Sequence, residues 1–458
     1  MNPHFPATKR LLLASLVSTS CLAAPAWALD LIDSYRAALE ANAELKAARS
    51  AAEAGREAVP IALSQLLPNA SLNYNHFRND LSRRSLGLPN EPGQQYNSSS
   101  STIVVRQPLY RPLAWAGYRR AQASVERAEA TLHAAQQQIG MKVVKAYLDL
   151  LLARDTLLQL QTQMRVIGIQ LQAAKSTLAA GQGTRTDIDE AQAQLDITAA
   201  KEVAARDGVD QARQELQTLT QKSAELLRPL DVDRLGLVVP EPDRLEDWWG
   251  LAEQRSPSIA ALTADVQALR ADVDRATAAH HPTLDLVAQH SVTDRDSIYD
   301  ARSAYRNTQL GVSLTMPLYG GGGVRAQVRQ SIAAMSQGEQ KLEVELRKLR
   351  DEVQKTFQAV RQGILRVKAQ EQAVRSQQQA VISNERGFAA GTRTRLDILQ
   401  AQQQLSQTVL ELARERYSYL LAHAQLQALS GSLDEQQVQK LNQPFASTAE
   451  VDVGSTKR

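Results

Sequence analysis

The sequence predicts a duplicated, mainly α-helical chain carrying strands of a transmembrane β-barrel, each half built as strand, strand and very long helical hairpin. Three observations lead there. The same series of segments occurs twice, about 210 residues apart. Proline-free stretches of helical periodicity run far beyond ordinary helix length. Four segments of about ten residues alternate apolar with small or polar side chains, as outer-membrane barrel strands do. A period this long marks a duplicated domain and not a solenoid repeat.

Taken in order, residues 1–28 read as a secretory signal peptide. Lys9 and Arg10 precede the apolar run Leu11 to Val17, and Ala26-Trp27-Ala28 is a small-x-small cleavage site. Cys21, the single cysteine, falls inside that segment, and Ser18, Thr19 and Ser20 before it do not read as a lipoprotein signal. A chain starting near Leu29 then has no thiol chemistry. Without Lys9 and Arg10 the 52 basic residues become 50 against 49 acidic ones, a balance that gives no reason to expect nucleic acid. Aromatic residues are only 4% of the chain, which favours long helices over a large globular core.

The first repeat is expected over 29–227 and the second over 246–442, joined by a connector at 228–245. Asp30 to Leu45 is echoed by Glu246 to Ile259, each opening a helical stretch. Strands are expected at about 69–78 and 97–107, then at 283–292 and 306–316. In the last of these Leu310, Val312, Leu314 and Met316 alternate with Gln309, Gly311, Ser313 and Thr315. The helical hairpins are expected at 112–226 and 320–430. An unbroken helix over Pro112 to Ala180 would be roughly 100 Å long. Polar residues 443–458 read as a disordered tail.

The two hairpin turns match in sequence. Ala179 to Asp196 (AAGQGTRTDIDEAQAQLD) answers Ala389 to Ser406 (AAGTRTRLDILQAQQQLS). GTRT aligns at an offset of 208 and the following helices at 210, so a two-residue slip is expected inside the turn.

Strand number limits the assembly. Four strands cannot close a membrane barrel, and an open edge in lipid leaves backbone groups unpaired. The smallest barrels have eight strands; three copies of this chain would supply twelve.

Duplicated halves with two strands feeding each long hairpin, and Gly391-Thr392-Arg393-Thr394 followed by Asp397-Ile398-Leu399, resemble the TolC family of outer-membrane efflux and secretion proteins. The resemblance spans about Leu29 to Leu441. It implies a homotrimer, with a twelve-stranded barrel in outer-membrane lipid and an α-helical barrel crossing the periplasm. It also implies docking to a periplasmic adaptor protein and an inner-membrane ABC or RND transporter. The function implied is a passive exit duct. The GTRT form leans toward type I protein secretion, with multidrug efflux the alternative and a periplasmic adaptor or scaffold the rival of another class.

By position the resemblance makes Arg393 a gating arginine, with Thr186 and Asp187 as its partners. Phe388 stands where an aromatic, often Tyr, takes part, and it lacks the hydroxyl. Asp397 matches an acidic ring at the constriction, while Gln400 stands where a second such ring can lie. Repulsion among copies of Asp397 would favour cation binding or a raised pKa.

Other clusters read as ordinary. Gly320 to Gly323 lacks the following Lys-Ser/Thr of a phosphate loop. His280-His281 has adjacent, diverging side chains. Asp294, Asp296 and Asp300 lack the glycine and terminal glutamate of an EF-hand. No catalytic motif is present, so neither an enzyme nor a cofactor is expected.

Overall fold

The computed structural model describes residues 29–82, 94–295, 303–445 and 451–452. The signal segment with Cys21, and the loop residues Asp296 and Asp300, lie outside them. The first half contains α1 (Leu31–Ala41), α2 (Ala43–Arg56), α3 (Ala58–Ser64), β1 (Asn69–Leu81), β2 (Gln94–Tyr110), α4 (Pro112–Ala179), α5 (Arg185–Thr220) and β3 (Leu226–Leu227). The second contains α6 (Leu245–Arg255), α7 (Pro257–Ala278), β4 (Thr283–Arg295), β5 (Ser303–Thr315), α8 (Gly323–Ala389), α9 (Arg395–Leu429), α10 (Glu435–Asn442) and β6 (Val451–Asp452).

The long helices start and stop for local reasons. Pro112 opens α4 at its first turn, where a missing N–H costs nothing. Gly321 and Gly322, with φ of 60° and 81°, delay α8 until Gly323, three residues after the expected start. Gln221 adopts a left-handed φ of 54° and ends α5 at Thr220, so Leu226, the expected end of the hairpin, stands in a short strand with Leu227. At 68 and 67 residues, α4 and α8 are each about 100 Å long.

Strands β1, β2, β4 and β5 form one antiparallel sheet in that order, which places the two repeats side by side through β2 and β4. The strands exceed the expected ten residues. Thirteen residues reach about 43 Å, enough to cross about 30 Å of hydrocarbon even when tilted near 45°. Register then sorts the faces. Leu72 opposes Ile103, Ile103 opposes His290, Ala288 opposes Leu310 and Leu286 opposes Val312, so these side chains share one face. Asn73, Thr102, Ser291 and Asn307 pair in the same way on the other. The apolar face is bare: Leu72 is 65% exposed, Leu310 76% and Leu314 67%. Both outer strands, β1 and β5, have one unpaired edge.

Where the sheet meets the helices, Arg111 holds the nearly buried Asp285 with two hydrogen bonds of 3.0 and 2.8 Å. Both bonds come from Nη2, and this charge-assisted contact orients the first turn of α4 against β4, coupling the two halves at the sheet's base. Farther along, Arg119–Asp274, Arg120–Asp272 and Arg127–Asp265 pair α4 with α7 at 2.9–3.0 Å.

The main core is a collar partway along the hairpins. Tyr147, Val143, Val144, Leu150 and Leu151 of α4 meet Leu31, Leu216, Leu227, Leu433 and Val438 there. Gly140 permits the contact: a Cβ there would lie 2.7 Å from the Tyr35 ring. Both ends of the described chain join this collar. Leu29 bonds to Leu226, and Asn442 accepts from the Leu31 amide and donates to Asp30.

The region expected as a disordered tail from Gln443 is ordered at its start. Phe445 is 1% exposed and stands edge-on to Tyr147 with centroids 5.5 Å apart, while Val451–Asp452 pairs with Leu226–Leu227. A lone Pro-Phe in a polar run gives no periodic signal, but its ring closes the collar. Phe445→Ala should therefore cost about 3–5 kcal/mol, read as a lowered denaturation midpoint of the purified protein.

Candidate gate at the interhelical turns

The far end of each hairpin is built by the same two devices. In the first turn Ala180, Gly181 and Gln182 donate to Ser176, Leu178 and Thr177 carbonyls; in the second, Ala390, Gly391 and Thr392 donate to Arg386, Phe388 and Gly387. Gly181 and Gly391 take φ of 75° and 76°, the left-handed geometry that favours glycine. Reciprocal capping boxes follow, Thr184 with Asp187 and Thr394 with Asp397.

These equivalences run at a constant offset of 210, so the expected slip inside the turn does not exist. Gly391 matches Gly181 and not Gly183. Identical GTRT letters had suggested otherwise, but backbone φ decides which glycine is which. In this register Gly183 matches Arg393, Arg185 matches Arg395, and Thr186 matches Leu396. Packing agrees: a Cβ on Gly387 would lie 2.7 Å from Arg393 Cγ, while Gly183 sits against the backbone of Leu178. Each turn needs one small residue where its two ends touch.

The structure gathers some of the expected site residues and separates others. Arg393 lies 3.9 Å from Asp397 across one helical turn and is 58% exposed. Asp187 is engaged with Thr184, and the expected ion pair with Arg393 does not form within the protomer. Thr186 and Gln400 are exposed. Asp397 accepts from the Thr394 amide and hydroxyl, both at 2.8 Å. Those two hydrogen bonds, followed by the Arg393 charge, hold its carboxyl below the usual carboxylate range. Within one chain the direction is thus opposite to the raised pKa expected from repulsion.

A residue not singled out from sequence occupies the centre of this region. The Arg395 guanidinium lies over the Phe388 ring at 4.9 Å and donates to Thr177 Oγ1 at 2.8 Å. It touches α8 and α4 from the first turn of α9. Only its place beside GTRT is visible in sequence; its partner lies 218 residues away.

Above the tip, α4 and α9 meet along a mostly polar seam. Leu399 enters a small apolar cluster with Ile167, Leu171 and Ala191. Ser406 accepts from Gln159 at 3.2 Å and donates to Gln163 at 3.0 Å. Higher still, the buried Tyr417 hydroxyl donates to Asp155 at 2.6 Å. Burial raises the Asp155 pKa above its ordinary 3.8, while the Tyr417 bond and the Arg154 charge oppose the shift.

A sheet with one bare apolar face, mounted on two helical hairpins about 100 Å long, defines a β-barrel membrane protein with a large water-exposed stalk. The chain belongs to the outer membrane efflux protein family, whose pattern matches residues 34–221 and 248–432, in agreement with the TolC-family resemblance. It is similar to the proteases secretion protein PrtF of Dickeya chrysanthemi, at 30% identity over 96% of both chains. It is also 30% identical to the alkaline protease secretion protein AprF of Pseudomonas aeruginosa, over 92% of this chain and 88% of that one. The fold is that of the outer membrane protein VceC of Vibrio cholerae, with a TM-score of 0.75 at 18% identity over 88% of this chain and 97% of that structure. The protein is an outer-membrane channel with a large periplasmic portion, not an enzyme.

The seam yields a stability prediction. Tyr417→Phe leaves Asp155 without its donor and should cost about 1–3 kcal/mol in chemical denaturation. Because the folded pKa of Asp155 is raised, the carboxyl's favourable contribution is full below 3.8 and is lost as pH rises through the folded value. Wild type should therefore lose stability relative to Asp155→Asn across that window and hold a constant difference above it, as melting curves at stepped pH would record.

Proposed function

We propose that the chain forms the exit duct of a one-step protein secretion system, as a homotrimer docked to a periplasmic adaptor and an inner-membrane ABC transporter. The observation that carries this reading is the sheet with an apolar face and two unpaired edges. In hydrocarbon each unpaired backbone group costs several kcal/mol, and joining β5 of one copy to β1 of the next closes twelve strands without an edge. Protein cargo is favoured over drugs because PrtF and AprF are both named for protease secretion.

The gate belongs to the same proposal. With Arg393 exposed and not paired to Asp187 inside one chain, the Arg393 contact to Thr186 and Asp187 is assigned between neighbouring protomers. Asp397 forms the acidic ring, and Gln400 leaves the level beyond it uncharged. Phe388 contributes its ring face in place of a hydroxyl.

Two measurements test this. In cells with the cognate adaptor and transporter but no duct, restoring this chain should restore appearance of a protease in the medium. Restored drug resistance without secretion would place the duct in efflux. In planar bilayers the purified protein should show a small cation-preferring conductance that rises in Arg393→Ala and Asp187→Ala. Asp397→Asn should weaken block by multivalent cations added at the periplasmic side. Unchanged conductance in the first two variants removes the gate from these residues.

A further inference from the structure

We propose that Arg395 is a second, intraprotomer clasp of the duct's tip, fastening the second hairpin to the first through Thr177 with Phe388 as its platform. The inference rests on the duct reading and adds to it a positioning residue on a different contact from that of Arg393.

The chemistry of the three partners is complementary. Thr177 Oγ1 donates to the Ala173 carbonyl at 2.7 Å, so its proton is committed and the oxygen is left to accept. The Arg395 guanidinium supplies the donor that oxygen requires, at 2.8 Å. The other face of the arrangement is the Phe388 ring, whose negative π-face attracts a cation. An aromatic without a hydroxyl thus holds the arginine through its ring face, and a weakly hydrated guanidinium can keep that contact while donating to Thr177. Among the described residues no carboxylate lies within ion-pair distance of Arg395, so Thr177 and Phe388 fix its direction.

The turn itself does not impose this position. Arg185, its counterpart in the first turn, points outward at 86% side-chain exposure and lies 4.0 Å from Asp189. Gly387, the counterpart of Thr177, has no side chain to offer. The clasp therefore exists once per protomer and runs in one direction, from the second repeat to the first.

Its place along the seam gives it leverage. From Ser406 to Arg395 helix α9 runs about 16 Å. In that interval the two hairpins border a partly open pocket of about 220 Å³ lined by Gln163, Ile167, Gln194, Val381, Leu399 and Gln402, among others. Gln194 Nε2 and Gln402 Oε1 have no hydrogen-bond partner there. Leu399 supplies an apolar contact, which has no preferred direction and permits sliding. Arg395 supplies the directional one. For α8 and α9 to swing away from α4 and α5 at the tip, the guanidinium must leave Thr177 while its cation–π contact with Phe388, a neighbour in the same hairpin, can persist.

The test is single-channel recording of the purified assembly in planar bilayers. Arg395→Ala and Thr177→Val should each raise the time spent open on the order of tenfold, as loss of one charge-assisted hydrogen bond implies. Their combination should exceed neither by much, since both remove the same contact, and Thr177→Ser should stay closed like wild type. Wild-type behaviour of Arg395→Ala, or fully additive effects in the double variant, overturns the clasp. Should a single variant misfold, Thr177→Cys with Arg395→Cys, joined by a short bis-thiol cross-linker, provides the second readout. The linked channel should stay closed in an Arg393→Ala background; opening of the linked form rejects the proposal. A clasp that fails while Arg393→Ala still opens the channel leaves the duct intact, whereas folded protein with no channel in any variant removes both readings.

Discussion

The constraint on which the architecture depends is that a backbone amide or carbonyl in hydrocarbon must find a partner within protein. It fixes the alternation along four strands, the bare apolar face of the sheet and the need for a second and third copy on the proposed reading. The same chain meets the opposite requirement a few residues away. Beyond Tyr110 and Thr315 the backbone enters helices that satisfy themselves, so length costs little and the stalk can extend about 100 Å on each long helix. Between the regimes stands Asp285, gripped by Arg111, a nearly buried charge whose pairing ties the end of one strand to the start of the next repeat's neighbour.

The stalk is held together unevenly. The collar around Tyr147 is dense and apolar, whereas the seam toward the tip relies on Gln, Ser, Tyr and Arg side chains. Apolar burial scales with area and tolerates small displacements; hydrogen bonds between side chains do not. The waist is held by buried area and the end by a few directional contacts, so losing one contact frees more of the end than of the waist. Tyr417–Asp155 marks where the dense part gives way to the sparse one.

Much of this was legible in the sequence. Proline-free 3.6-residue periodicity located α4 and α8, and strict alternation located β5, because both patterns are imposed by one buried or lipid-facing side. Sequence alternation stops short of the strand ends, since Gln94 to Tyr96 and Ser303 to Tyr305 carry no apolar alternation, yet their backbones continue the ladder. Four identical letters point to the wrong turn register, because letters do not carry the backbone conformation that Gly181 and Gly391 share. Arg395 was missed for another reason: nothing local distinguishes an arginine on a surface turn from one whose acceptor lies on a helix more than two hundred residues earlier. Phe445 was missed likewise, as one aromatic in a polar stretch.

The joining of Leu29, Asp30 and Leu31 to Leu226, Asn442 and Phe445 bears on the order in which the polypeptide is made. Leu29 can meet Leu226 halfway along the chain, but Asp30 and Leu31 cannot reach Asn442 until it has been made, a separation of 411 residues for Leu31. Until then the Tyr147 ring has no lid. A product truncated before Asn442 keeps an open apolar waist. Closure of the waist is thus set only when the segment carrying Asn442 and Phe445 arrives.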